Sequence, residues 1–135
     1  MAQTLTPTME DYLEIINNLG KNGQAVRVKD IAQELKIKMP SVSEALKSLT
    51  KEGLIKHEKY GYIELTNKGN GLAREICSRH RILFKFLNGV LGIDPKTADE
   101  EACKMEHVIS GTTLKRLIRF LELMESLPEE EFRLI

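Results

Sequence analysis

Two neighbouring segments set the architecture of the N-terminal half: Val28-Lys29-Asp30-Ile31-Ala32-Gln33-Glu34-Leu35 and, after a short linker, Pro40-Ser41-Val42-Ser43-Glu44-Ala45-Leu46-Lys47-Ser48-Leu49-Thr50-Lys51-Glu52-Gly53. In the first, Ile31, Ala32 and Leu35 recur at helical spacing, and in the second Val42, Ala45, Leu46 and Leu49 do the same. Each run therefore has one apolar stripe, and the two stripes can bury a common seam. Pro40 suits the opening of the second helix, where its missing N–H costs no hydrogen bond. Two short amphipathic helices joined this closely have helix-turn-helix spacing.

The flanks extend the pattern. Leu54 to Thr66 gives two strand-like runs around a turn containing Gly61, which forms a wing after the second helix. Upstream, Thr6-Pro7-Thr8 followed by Met9 to Gly20 predicts a helix with a threonine N-cap, acids in the first turn and a terminal glycine. Its apolar face is Met9, Tyr12, Leu13, Ile16 and Leu19. Residues 1–70 thus read as a winged helix-turn-helix domain.

The 135 residues carry no formal net charge, but the charge is unevenly spread. Between Lys21 and Lys68 ten basic residues face six acidic ones, a local excess of four, whereas Asp99-Glu100-Glu101 and Glu129-Glu130-Glu131 are acidic runs. A basic winged helix points to double-stranded DNA, with Pro40, Ser41, Ser43 and Glu44 facing the major groove and Lys38 and Lys47 placed for phosphates. A winged helix used only for protein contacts is the competing reading. Arginine or glutamine at the base-reading positions is missing, so specificity is expected to come partly from DNA shape and dimer spacing.

The C-terminal half, residues 71–135, reads as all-helical. Asn67-Lys68-Gly69 begins a long amphipathic segment, Leu72 to Leu87, that carries Ile76, Leu83, Phe84 and Leu87. Asp94-Pro95 breaks it, a helix is expected from Thr97 to Ile109, and Thr112 or Thr113 is expected to cap a last one running toward Pro128. Its apolar residues exceed what so small a unit hides, which suits a homodimer interface, although Phe84, Leu117 and Leu121 also suit a core.

Cys103, Glu106 and His107 stand at i, i+3 and i+4, so on a helix a thiol, a carboxylate and an imidazole share one face. That is a three-ligand set for a divalent transition metal. It is equally a core-facing cysteine beside two solvated polar neighbours. The other cysteine, Cys77, lies three residues before His80 and reads as core packing, and His57 as an exposed wing residue.

Composition, 41% hydrophobic and 30% charged, is that of an ordinary globular chain. No apolar run approaches the roughly 20 residues needed to span a bilayer, and Met1-Ala2-Gln3-Thr4 lacks the features of a signal peptide. A cytoplasmic protein without a disulfide framework or membrane partner is expected. No paired Glu-x-x-His motif, separate nucleophile or glycine-rich phosphate loop supports an enzyme.

In order and spacing, Met9-Glu10-Asp11-Tyr12-Leu13-Glu14, the winged helix, Arg79-His80-Arg81 and Ala102-Cys103-Lys104-Met105-Glu106-His107-Val108-Ile109-Ser110 resemble the DtxR/MntR family of metal-dependent transcriptional repressors, over essentially the whole chain. The resemblance implies a DNA-binding domain, a helical dimerisation domain and a metal held by Asp11, Glu14, His80, Cys103, Glu106 and His107. With the chain ending at Ile135, it also implies no SH3-like third domain. Asp11 matches the manganese type, where the iron type has Met, and Cys103 matches the iron type, where the manganese type has Glu. Fe(II) or Mn(II) is the expected cofactor, with a lean to Fe(II); Co(II), Ni(II) and Zn(II) are expected to bind in vitro. Phe84 stands where the iron type's ancillary site has Glu. The implied function is a metal-activated homodimeric repressor of metal-uptake genes acting at a DNA operator. The alternative is a winged-helix regulator sensing a small non-metal ligand.

Overall fold

The computed structural model describes residues 5–58 and 61–128; Lys59 and Tyr60 of the wing and the acidic run Glu129 to Glu131 lie outside them. The chain is mainly α: a winged helix-turn-helix is followed by an all-helical part. Its contacts divide into two compact units, 1–75 and 76–135.

In the first unit, α1 (Pro7–Leu19) starts where Thr6 accepts the Met9 N–H at 3.1 Å and ends at Gly20. Its inner face is Tyr12, Leu13 and Ile16, all buried. The two-residue strand β1 (Val26–Arg27) precedes α2 (Val28–Leu35), whose first turn is closed by Asp30 accepting the Arg27 N–H at 3.0 Å. At the C-cap of α2, Lys36 adopts left-handed φ/ψ of 57° and 44°, and Ile37 N–H donates to the Ala32 carbonyl. A lysine therefore makes the turn that glycine usually makes, against a steric cost of roughly 1–2 kcal/mol.

The recognition-type helix α3 (Met39–Lys51) has Pro40 in its first turn and packs Val42, Leu46 and Leu49 inward on α2. Next come β2 (Ile55–His57) and β3 (Tyr62–Leu65), antiparallel, with Ile55 opposite Leu65; β1 adds to the other edge of β3, giving the order β1-β3-β2. Gly61, at φ 87°, sits where the chain re-enters β3. The third strand is a finding: two residues are too few to show a period of two in the sequence.

The start of α4 (Asn67–Phe84) is fastened to the end of α3. Thr66 donates its hydroxyl to the Gly53 carbonyl at 2.6 Å and accepts the Gly69 N–H at 3.1 Å, while its own N–H reaches the Leu54 carbonyl. Gly69 approaches that carbonyl so closely that a Cβ would collide with it.

In the second unit α4 runs on through a π-helical turn, Lys85–Val90, beyond the end expected at Leu87. A core of Leu83, Leu87, Ala98 and Ala102 follows, with Phe84, Met105 and Leu117 packed against it. α5 spans Pro95–Met105 rather than Thr97 to Ile109, because Asp94 is the cap and accepts the Thr97 N–H at 2.9 Å. Glu106 and His107 therefore lie just past the helix, although Glu106 N–H still donates to the Ala102 carbonyl. α6 (Gly111–Glu125) is capped by Ser110, accepting from Thr113 N–H, and not by Thr112 or Thr113. Among its apolar residues Leu121 is buried, whereas Phe120 and Leu123 are exposed, as is Leu127 just beyond the helix. Among the described residues no helix is long and apolar enough to cross a membrane.

The Thr97 amide holds the Asp94 carboxyl below its ordinary range. A lowered folded value means that the ionised cap stabilises the fold above the unfolded carboxylate range and that this contribution is lost as pH falls through the folded value. Asp94→Ala is expected to lower the melting temperature by a few degrees at pH 7, with the difference from wild type shrinking below about pH 4, where unfolded aspartates titrate. Thermal melts at both pH values check this; an unchanged difference would remove the charge from the explanation.

Candidate metal centre and nucleic-acid interface

Glu106 is the single buried charged residue among the described ones, with 0% of its surface exposed. A carboxylate is costly to bury unless its oxygens find partners, and here one does and one does not. Oε1 lies 2.7 Å from His80 Nδ1. Oε2 makes no hydrogen bond among the described residues; the nearest cationic candidate, His107 Nε2, is 3.8 Å away.

The second unit builds this cluster from two elements. α4 supplies His80 from its last turns, and the end of α5 supplies Cys103, Glu106 and His107, each of which brings a donor atom within 4.8 Å of the other two. The spacing survives the early end of α5, because the following turn keeps an i to i−4 hydrogen bond. Ala98 and Ala102, fully buried beside them, leave room for this face to lie close to its neighbours. A thiol, imidazoles and a buried carboxylate with one unsatisfied oxygen, gathered together, form a donor set that fits a divalent transition metal.

Asp11 and Glu14 lie one turn apart on α1 in the first unit and are half-buried. Cys77 is half-buried and His57 exposed. Asp99 was absent from the expected set. It stands one turn before Cys103 on α5, and its Oδ1 is 2.8 Å from His80 Nε2. Its spacing of four from Cys103 and seven from Glu106 was visible, but the adjoining Glu100 and Glu101 concealed it in an acidic run.

On the other face of the chemistry, Lys38, Met39, Pro40 and Ser41 are exposed around the N-terminus of α3, and Ser43 is half-buried. Glu44 and Lys47 are exposed and 3.6 Å apart, a surface pair that contributes little to stability. Across the small sheet, Arg27 donates to the Tyr62 hydroxyl at 2.7 Å, tying β1 to β3.

A winged helix with an open recognition helix, followed by a helical unit with a metal-type donor cluster, defines a DNA-binding transcriptional regulator and not an enzyme. Comparison with known proteins agrees. Residues 4–63 match the iron-dependent repressor N-terminal DNA-binding domain, and residues 66–131 match the iron-dependent repressor metal-binding and dimerisation domain. The chain belongs to this family, the DtxR/MntR metal-dependent transcriptional repressors. It is 39% identical over 119 residues to an uncharacterised HTH-type transcriptional regulator of Methanocaldococcus jannaschii, covering 87% of this chain and 95% of that one. It is 34% identical to the HTH-type transcriptional regulator MntR of Lysinibacillus sphaericus, covering 92% and 88%. Among solved structures it is similar to the manganese regulator SloR, with a TM-score of 0.77 and 36% identity over 87% of this chain. The chain spans about half that structure's length, 55%.

The unsatisfied oxygen separates a functional carboxylate from a structural one. Replacing Glu106 by Met removes a buried orphan acceptor, whose desolvation costs about 1–3 kcal/mol, at the loss of one hydrogen bond to His80. The Glu106→Met protein, melted in chelator, is expected to be as stable as wild type or about 1 kcal/mol more stable. A clear loss of stability would mark Glu106 as part of the scaffold.

Proposed function

We propose that this protein is a homodimeric repressor of metal-uptake genes whose binding to its operator requires Fe(II) or Mn(II). The observation that carries the reading is the buried Glu106 carboxylate with an unpaired oxygen beside Cys103, His107 and His80. The proposed ligands are those four with Asp11 and Glu14, the latter two resting on the family pattern and on the preference of divalent cations for carboxylate oxygen. When bound, a divalent cation supplies the positive charge that lets a thiolate and several carboxylates share one site. Without it, Asp11, Glu14 and Glu106 repel one another, which disfavours gathering the set. In a dimer two α3 helices must meet major grooves roughly 34 Å apart. By linkage, operator and metal each strengthen the binding of the other.

At the DNA, Lys38 and Lys47 are assigned to phosphates and Pro40, Ser41, Ser43 and Glu44 to the groove. The exposed apolar residues Phe120 and Leu123 of α6, with Leu127 just after it, support the dimer.

Anaerobic binding of labelled upstream DNA, in chelator and then with Fe(II) or Mn(II), tests the switch. Retardation only with metal is expected, and Cys103→Ala is expected to lose or alter that response while folding normally. Equal binding in chelator would sink the proposal and favour a regulator that senses a non-metal ligand. Separately, Lys38→Ala and Lys47→Ala should each weaken binding similarly on all DNA sequences and reduce the slope of log K against log salt by about 1. A sequence-selective loss with an unchanged slope would place these lysines at bases instead.

A further inference from the structure

We propose that Asp99 is a positioning residue for His80, accepting its Nε2–H so that the Nδ1 lone pair is presented to the metal. The inference rests on the metal-centre reading above. His80 lies between two carboxylates, with Nδ1 2.7 Å from Glu106 Oε1 and Nε2 2.8 Å from Asp99 Oδ1. A neutral imidazole carries one proton, and each ring nitrogen of His80 has an acceptor in reach, so which nitrogen holds the proton depends on what else competes for the other.

With Glu106 as the sole acceptor, the proton would sit on Nδ1. That hydrogen bond would occupy both the imidazole nitrogen and the carboxylate oxygen that the centre needs. Asp99, on the opposite edge of the ring, gives that proton a second acceptor, so that Nε2 can hold it when a cation competes for Nδ1. Binding would then exchange the Nδ1–H···Oε1 hydrogen bond for metal on both atoms, with the Nε2–H retained on Asp99. Ring orientation is fixed by the same contact, since Asp99 is carried one turn from Cys103 on α5, so the helix that supplies three ligands also aims a fourth. The Asp99 side chain is 68% exposed, which suits a group that touches the ligand and not the buried centre.

The test is an anaerobic Co(II) titration of wild type, Asp99→Asn and Asp99→Ala, followed by the thiolate-to-metal absorption. It is paired with long-range proton–nitrogen NMR of His80 in the Zn(II)-loaded protein. All three proteins are expected to bind the same number of equivalents. Asp99→Ala should bind roughly 10–100-fold more weakly, as loss of such an outer partner does elsewhere. Asp99→Asn, whose amide oxygen still accepts from Nε2–H, should stay within a few-fold of wild type, and wild-type His80 should carry its proton on Nε2. Equal affinity in Asp99→Ala would overturn the role, as would metal on Nε2. Loss of a whole equivalent would make Asp99 a ligand and overturn it too. Wild type that binds no Co(II) would instead bring down the metal-centre reading, and this inference with it.

Discussion

A buried carboxylate with one oxygen bonded and one oxygen bare is the constraint around which the second unit is organised. Several kcal/mol oppose taking an ion out of water without full compensation. Glu106 receives partial compensation from His80 and nothing closer than 3.8 Å from His107. A protein selected for stability alone would place an apolar residue there. The chain instead surrounds Glu106 with a thiol and two imidazoles, a donor set that fits a divalent cation. The local architecture follows from this. Alanines at 98 and 102 keep α5 narrow on its packed side, and the Asp94 cap and Ser110 cap fix where α5 begins and α6 resumes, so that the turn between them can carry two donors.

The first unit solves a different problem, how to leave one helix end uncovered while holding it rigidly. The apolar seam of Ile31, Val42, Leu46 and Leu49 buries one side of α3, and the other keeps Lys38, Pro40, Ser41 and Glu44 in water. Rigidity at the far end comes from the Thr66 hydroxyl, which bridges the Gly53 carbonyl and the Gly69 amide, and from the Lys68 ammonium on the Glu52 carbonyl. These contacts satisfy carbonyls at the C-terminus of α3 that would otherwise lack partners. Gly69 is required because nothing larger fits against the Leu54 carbonyl.

Much of this was legible in the sequence because helices advertise themselves through period and caps. Thr6, Pro40 and the stripes of α1 to α3 lie where the pattern put them, as do the two wing strands around Gly61. What stayed hidden has physical reasons. β1 is too short to alternate, and the left-handed turn at Lys36 uses a residue with no preference for it. The π-helical turn at Lys85–Val90 preserves apolar spacing well enough to pass for ordinary helix. α5 began two residues early because Asp94 outcompetes the sequence-level expectation that Pro95 is part of a break, and proline is in fact well suited to the first helical turn. Within the cluster, Cys103, Glu106 and His107 were visible by spacing alone, whereas the partnership of His80 with Asp99 is a tertiary fact between α4 and α5, 19 residues apart.

The donor set also constrains which metal a regulator of this kind can answer to. A thiolate from Cys103 and imidazoles from His80 and His107 bind late first-row ions more strongly than early ones, so intrinsic affinity ranks Zn(II), Ni(II) and Co(II) above Fe(II), and Fe(II) above Mn(II). Adding the carboxylates of Asp11 and Glu14 raises the share of hard oxygen without reversing that order. The proposed response to Fe(II) or Mn(II) would therefore draw its selectivity from elsewhere: from the coordination number that a particular metal demands, and from the free concentrations a cell maintains. The six proposed donors would suit an ion that accepts more than four ligands, whereas Zn(II) satisfied by four would leave carboxylates of that set uncoordinated and repelling each other. In the proposed switch a tightly held but four-coordinate ion would fill the site without gathering all of its ligands, which would make occupancy and activation separable quantities.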